Sequence, residues 1–139
     1  MKSRTLVVLV VGAFLAVTAG YAQSSTTLVG KIPFEFRVGA SVLPAGDYQL
    51  IPSAASRTLL IRCQDNNAAV IALPNTAESV QAPKDSKLVF NRYGSTYFLS
   101  QVWHAGNTRG YQLPKSKTER EMAKNVPGIE LAYIPVVVR

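Results

Sequence analysis

Cysteine, histidine and tryptophan each occur once in this chain of 139 residues, and only eight acidic side chains stand against fifteen lysines and arginines. A lone cysteine, Cys63, cannot close a disulfide within the chain, so the fold has to rest on its hydrophobic core. A lone imidazole, His104, means that any metal centre or base-assisted nucleophile has to be built around that one residue. No second His or Cys, and no carboxylate close in sequence, completes a ligand set there. There is no Gly-x-Ser-x-Gly elbow, no phosphate-binding loop and no dinucleotide fingerprint. The sequence therefore assigns no catalytic residue, no metal ligand and no cofactor, and the chain reads as a non-enzyme.

The carboxylates Glu35, Asp47, Asp65, Glu78, Asp85, Glu119, Glu121 and Glu130 are spread over separate predicted elements, so only the fold can assemble a glycosidase pair from them. Turn contacts, solvated faces and helix-end charge account for them individually, with Asp47 and Asp65 in turns and Glu119 as part of a helix cap.

Long apolar runs are scarce as well. The longest runs from Leu6 to Val17, 12 residues, short of the roughly 20 that a helix needs to cross a bilayer. Lys2 and Arg4 precede it, and Gly20, Tyr21 and Ala22 follow it, which is the layout of a secretory signal peptide over residues 1–22 cut after Ala22. The expected location is secreted or periplasmic, with no transmembrane segment left after cleavage. Cutting there leaves 117 residues, 139 less 22, with thirteen basic and eight acidic side chains and so a net charge of +5. That is one domain, residues 23–139, large enough for a core of its own.

What is present is alternation. Ile32, Phe34, Phe36 and Val38 against Lys31, Glu35 and Arg37 have period two and predict a strand with one apolar face, which Pro33 either places at an edge or makes begin its pairing after that point. Leu43-Pro44-Ala45-Gly46 predicts a turn into a strand over 47–51. Residues 57–64 and 68–73 read as a hairpin, and an Asn66-Asn67 loop would set Cys63 opposite Val70 and Ile61 opposite Ala72. Residues 74–86 read as a polar loop.

The clearest local signal is the hairpin Lys87–Tyr93 and Thr96–Trp103 around Gly94-Ser95, a pair suited to a type II′ turn. Its register sets Arg92 opposite Tyr97, Phe90 opposite Leu99 and Leu88 opposite Gln101, with Trp103 further along the same face. The other face, with Val89, Tyr93, Phe98 and Val102 among Lys87, Asn91, Thr96 and Ser100, is half apolar and calls for a cover. Another strand or the C-terminal segment is the commoner solution. Residues 105–110 form a Gly-rich loop, and 111–114 a short extended stretch.

Ser116 and Glu119 have capping-box spacing, which starts a helix near Lys117 that ends by Asn125 ahead of Pro127-Gly128. Residues 129–138 close the chain as a strand interrupted by Pro135. The pattern predicts an all-β fold, an antiparallel sandwich or small barrel of about 7–8 strands with one short helix near the C-terminus. Strands of five to eight residues are too short for an outer-membrane barrel, whose strands need about 9–11.

Residues 32–39 (Ile-Pro-Phe-Glu-Phe-Arg-Val-Gly), 43–48 (Leu-Pro-Ala-Gly-Asp-Tyr), 88–99 (Leu-Val-Phe-Asn-Arg-Tyr-Gly-Ser-Thr-Tyr-Phe-Leu) and 113–121 (Leu-Pro-Lys-Ser-Lys-Thr-Glu-Arg-Glu) together resemble a group of short exported bacterial proteins with no assigned activity. The resemblance spans nearly the whole mature chain and carries over no catalytic or binding residue.

The candidate binding residues follow from chemistry alone. Basic side chains collect at Lys84, Lys87 and Arg92 and again at Lys115, Lys117, Arg120 and Lys124. For an exported protein these point to anionic glycan, lipid headgroups or acidic envelope proteins rather than nucleic acid. Simple solvation, with helix pairs such as Lys117 to Glu121, is the competing reading. Tyr93, Tyr97, Trp103 and Tyr111 offer a sugar- or protein-binding aromatic surface, with core packing the commoner fate of Trp103 and Tyr97. Arg92 over Tyr97 suits a cation-π pair. The binding candidates are thus Arg92, Tyr93, Tyr97, Trp103, Lys115, Lys117 and Arg120.

Cys63 alternates with Ile61 and Leu59 and is expected to be buried, with Arg62 on the other face. His104 reads as a loop residue, exposed or bonded locally. The favoured function is binding or assembly in the cell envelope without chemistry. A barrel carrier would need an apolar cavity lined by Phe34, Phe36, Phe90 and Leu99. A hydrolase would need His104 in a cleft within reach of a carboxylate or Ser.

Overall fold

The computed structural model describes residues 26–139, and the expected signal peptide lies outside them. In chain order the strands are β1 (Leu28–Ile32), β2 (Phe36–Val38), β3 (Ser41–Leu43), β4 (Gly46–Ser53), β5 (Thr58–Cys63), β6 (Ala69–Ala72), β7 (Asn75–Glu78), β8 (Lys87–Tyr93), β9 (Thr96–Trp103) and β10 (Arg109–Gln112). The helix α1 (Lys117–Asn125) and the strands β11 (Glu130–Pro135) and β12 (Val137–Val138) follow. Sheet I has the order β12-β1-β4-β5-β6. Sheet II has the order β11-β8-β9-β10-β7, with β2 parallel to β9 and β3 paired to β2.

The all-β sandwich with one short C-terminal helix is therefore the fold, and proline explains why it has twelve strands rather than seven or eight. The chain passes between the sheets four times: β1 to β2, β3 to β4, β6 to β7 and β11 to β12. Pro33, Pro44, Pro74 and Pro135 stand at those four passages. A proline donates no ladder hydrogen bond and holds φ near −65°, so pairing on one sheet stops and the next segment starts afresh on the other. The expected strand through 32–38 is thus two strands in two sheets. Its alternation still reports burial correctly at Ile32, Phe36 and Val38, because both halves line the same core.

That core is one cluster. Leu28, Leu50, Leu59 and Ile61 of sheet I meet Phe36, Leu88, Phe90 and Val102 of sheet II. Phe36 stands edge-on to Tyr48 at 5.0 Å and to Phe90 at 5.5 Å between ring centres. Burying each such side chain stabilises the fold by roughly 1.5–3 kcal/mol.

The turn into β4 is tied down by Pro44, Gly46, Asp47 and Tyr48. Tyr48 sends its hydroxyl back to the carbonyl of Pro44, and burial pushes that phenol's pKa upward. Gly46 is required by close approach: a Cβ there would meet Asp65 Oδ2 at 2.8 Å and Cys63 Sγ at 3.2 Å. The same Asp65 oxygen accepts the Asp47 amide at 3.0 Å. This tie corrects the β5–β6 register. Ile61 lies opposite Val70, not Ala72, and the Cys63 amide bonds the Ala68 carbonyl, so the loop has four residues because Asp65 is held to β4.

The β8–β9 hairpin begins as expected, with Gly94 at φ +61° and with Arg92 opposite Tyr97 and Phe90 opposite Leu99. A β-bulge then intervenes. Ser100 is the extra residue, so Leu88 faces Val102 rather than Gln101, and Trp103 moves to the face away from the core. Residues 75–78, expected within a loop, form β7, which pairs only with β10 and is too polar to show an alternating pattern.

Candidate functional site

The sandwich has two outer faces, and they are built differently. On sheet II, Val89, Asn91, Tyr93, Phe98 and Trp103 point away from the core and are nonetheless buried. Over Asn91 and Tyr93 the cover that the half-apolar face called for is α1. Ser116 caps it by accepting the Glu119 amide at 3.2 Å, as the spacing predicts. The Glu119 carboxylate does not return to Ser116. It points into the sheet, where Oε1 accepts from Asn91 Nδ2 at 2.9 Å and from the Tyr93 hydroxyl at 3.1 Å, and the residue is only 4% exposed. Burial first, and the Glu119 charge second, push the Tyr93 phenol up to about 12.

On sheet I no helix of the described residues lies over the outer face. Because Leu28, Leu50, Leu59 and Ile61 point inward, their neighbours point outward. The register aligns Ile51, Leu60 and Ile71 across β4, β5 and β6 as one aliphatic row. Beside it, Val29 faces Val137 across β1 and β12. Ile51, Leu60 and Val29 are half-buried, whereas Ile71 is 67% and Val137 70% exposed. Leu73, just past β6, is 69% exposed. These residues were missed as candidates, although residues 68–73 (Ala-Ala-Val-Ile-Ala-Leu) do form an uncharged run in a basic chain.

The seven candidate residues do not form one surface. Tyr93 is buried at 1% exposure with its hydroxyl on Glu119. Trp103 packs over Gly110, where a Cβ would lie 2.7 Å from the indole, and its N–H donates to Gln101 Oε1 at 2.9 Å. Tyr97 stacks on Phe34 at 3.8 Å, and the Arg92 guanidinium lies 5.5 Å from its ring centre, the expected cation-π pair. Arg92 also reaches Glu130 at 3.4 Å. Lys115, Lys117 and Arg120 are exposed. Among the described residues the ion pairs are Arg92–Glu130 and Arg109–Glu78, so the expected Lys117–Glu121 pair is not made.

His104 lines a cleft of about 1350 Å³ at one end of the sandwich, with Tyr111, Asn107, residues 51–55 at the end of β4, Thr26 and Val138. It is neither exposed nor locally bonded through its ring, contrary to expectation. Its Nε2 is closed off from solvent without a hydrogen-bond partner, the ring stands 6.3 Å from Tyr111, and burial lowers its pKa. No carboxylate or Ser approaches that nitrogen to make a proton-transfer pair. Among the described residues no three His, Cys, Asp or Glu side chains gather as a metal site. Cys63 is buried and Arg62 points to the other face, as read.

Phe34, Phe36, Phe90 and Leu99, named for a carrier cavity, instead fill the space between themselves: Phe34 meets Phe90 edge-on at 5.0 Å, Phe36 meets it at 5.5 Å, and Leu99 is its cross-strand partner. No helix among the described residues is long and apolar enough to cross a membrane. No family model, curated protein or solved structure matches the chain.

Proposed function

We propose that the protein is an exported β-sandwich that acts by binding and assembly in the cell envelope, through the open face of sheet I, and carries out no chemistry of its own. One observation carries this reading: nothing among the described residues lies over the aliphatic row Ile51–Leu60–Ile71, whereas on the outer face of sheet II α1 covers Asn91 and Tyr93. Apolar surface gathered in one place and left open marks interaction sites on soluble domains. The filled interior at Phe34, Phe36, Phe90 and Leu99 argues against the carrier alternative, and the isolated Nε2 of His104 argues against the hydrolase. Export rests on the signal-peptide layout of residues 1–22.

The test places a photo-crosslinking residue at Leu60 or at Arg120 in the protein expressed in its native host. The reading expects one stoichiometric adduct from Leu60 and a weaker, heterogeneous pattern from Arg120. Adducts with glycan or lipid alone, concentrated at Arg120, would instead assign binding to the exposed cations Lys115, Lys117 and Arg120.

A further inference from the structure

Sheet edges are where β proteins meet other chains, because an edge strand leaves half its N–H and C=O groups unpaired. The described sheets have five such edges, and they are guarded to different degrees. β12 has two residues and is flanked by Pro135 and Arg139. β3 has three and runs into Pro44. β7 is polar, with Glu78 held 3.8 Å from Arg109. β11 opens on Glu130, paired to Arg92, ends on Pro135, and has the Lys87 ammonium 5.1 Å from the Tyr133 ring centre. Charge, proline and shortness are the usual defences against edge pairing. β6 carries no charge over the run 68–73, and its guards are its four-residue length and Pro74, two residues past its end.

We infer that β6 pairs antiparallel with β6 of a second copy of this chain, joining two copies of sheet I into one continuous sheet about a two-fold axis at Ile71. The inference rests on the assembly reading above and names its partner. The backbone is oriented for this pairing. Cys63 bonds Ala68, so the alternating ladder turns Val70 and Ala72 toward β5 and leaves the N–H and C=O groups of Ala69 and Ile71 directed outward. An axis at Ile71 sets Ile71 opposite its own image and Ala69 opposite Leu73.

The side chains select that register. The row Ile51–Leu60–Ile71 then continues into its own image, six aliphatic residues across the joined sheet, with no polar residue between them. Arg62, cross-strand from Ala69, falls in line with Leu73 and Thr58 of the second copy rather than with its own image. For a chain with surplus positive charge this matters, because like charges brought face to face disfavour association. An axis at Val70 would instead set Ile71 against Ala69 and bring the two Arg62 rows closer. A pairing of about five residues buries less than about 1,000 Å² and makes a weak, concentration-dependent dimer.

The experiment is sedimentation velocity on the mature protein alone, from about 10 μM to about 1 mM, a range that spans weak association. A shift from monomer to dimer across it is expected, together with its loss in Ile71→Lys and its retention in Val137→Lys, which changes the same face at the opposite edge. Register is read from single cysteine variants, made in a Cys63→Ala background, under mild oxidation. Ile71→Cys should give a covalent dimer. Leu73→Cys should not, because an axis at Ile71 holds the two Leu73 positions too far apart for a disulfide. Monomer at every concentration, equal loss in both lysine variants, or equal crosslinking of both cysteine variants would overturn the pairing. Monomer in solution with a Leu60 adduct to a different envelope protein would overturn the pairing and leave the assembly reading standing.

Discussion

The two outer faces of the sandwich solve opposite problems. Sheet II presents polar groups, Asn91 and the Tyr93 hydroxyl, at buried positions, and it can do so because α1 brings a carboxylate to both of them. Sheet I presents Ile51, Leu60 and Ile71, and nothing among the described residues lies over them. A buried polar group without a partner costs about 1–3 kcal/mol, so the cover over sheet II is needed by the monomer itself. An exposed aliphatic row costs a monomer little and gives it little. The roofed face therefore maintains the fold, and the open face is available for association.

Removing the roof's polar contact should have the largest effect. Glu119→Ala leaves Asn91 and Tyr93 buried without their acceptor and should destabilise by about 2–4 kcal/mol, a drop of several degrees or more in melting temperature. Tyr93 also supplies an optical check. With its pKa near 12 it should ionise later than an ordinary tyrosine, whose pKa is about 10. A raised phenol pKa contributes stability that is full below about pH 10 and is lost as pH rises toward 12. In Glu119→Gln the neighbouring charge is gone, so the late phase of a spectrophotometric titration should move to lower pH. An unchanged melt in Glu119→Ala would mean that α1 is not what holds this face together.

The next effect concerns packing on the same face. A methyl group at Gly110 would sit 2.7 Å from both the Trp103 ring and the Val102 carbonyl, and the carbonyl cannot move without disturbing the β9 ladder. Gly110→Ala should therefore cost about 1–3 kcal/mol, as overpacking does, with a change in the fluorescence of the single tryptophan.

How much of this was legible in the sequence depends on whether the deciding contact was local. The Gly94-Ser95 turn set the hairpin register through Phe90 opposite Leu99, and Ser116 marked the helix start, because both depend on neighbours a few residues away. The register beyond Phe90 was not legible, since the bulge at Ser100 carries no turn residue, and a bulge shows no break in local composition. Glu119 looked like half of a capping box because its real partners are 26 and 28 residues distant. Asp65 misled the β5–β6 loop for the same reason, being tied to β4. The open face of sheet I was hidden differently. Alternation identifies the inward residues, and an outward aliphatic such as Leu60 between Leu59 and Ile61 reads as more of the same core.

His104 sits between the two sheets' ends and gives a smaller, pH-dependent test. Burial lowers its pKa from 6.5, so the unfolded chain takes up a proton at higher pH than the folded one. The stability tied to the neutral ring is full above about pH 6.5 and is lost as pH falls from there toward the lowered folded value. Thermal melts from pH 8 to pH 5 should fall further for the wild type than for His104→Gln. Parallel curves would mean that the unpartnered nitrogen is no liability in acid.

The smallest expected effect is the one on which the comparison turns. Leu60→Thr and Ile71→Lys alter the open face, and in dilute protein each should change stability by no more than about 0.5 kcal/mol, as surface substitutions do. Set beside the Glu119→Ala loss, that near-neutrality would mean that the fold does not need this aliphatic row. A row the fold does not need, aligned by register across three strands and ending at the charge-free edge β6, would support the proposed role in contact with another chain. If Leu60→Thr instead proved as costly as Glu119→Ala, the row would be part of the monomer's own packing, and the functional distinction between the two faces would disappear.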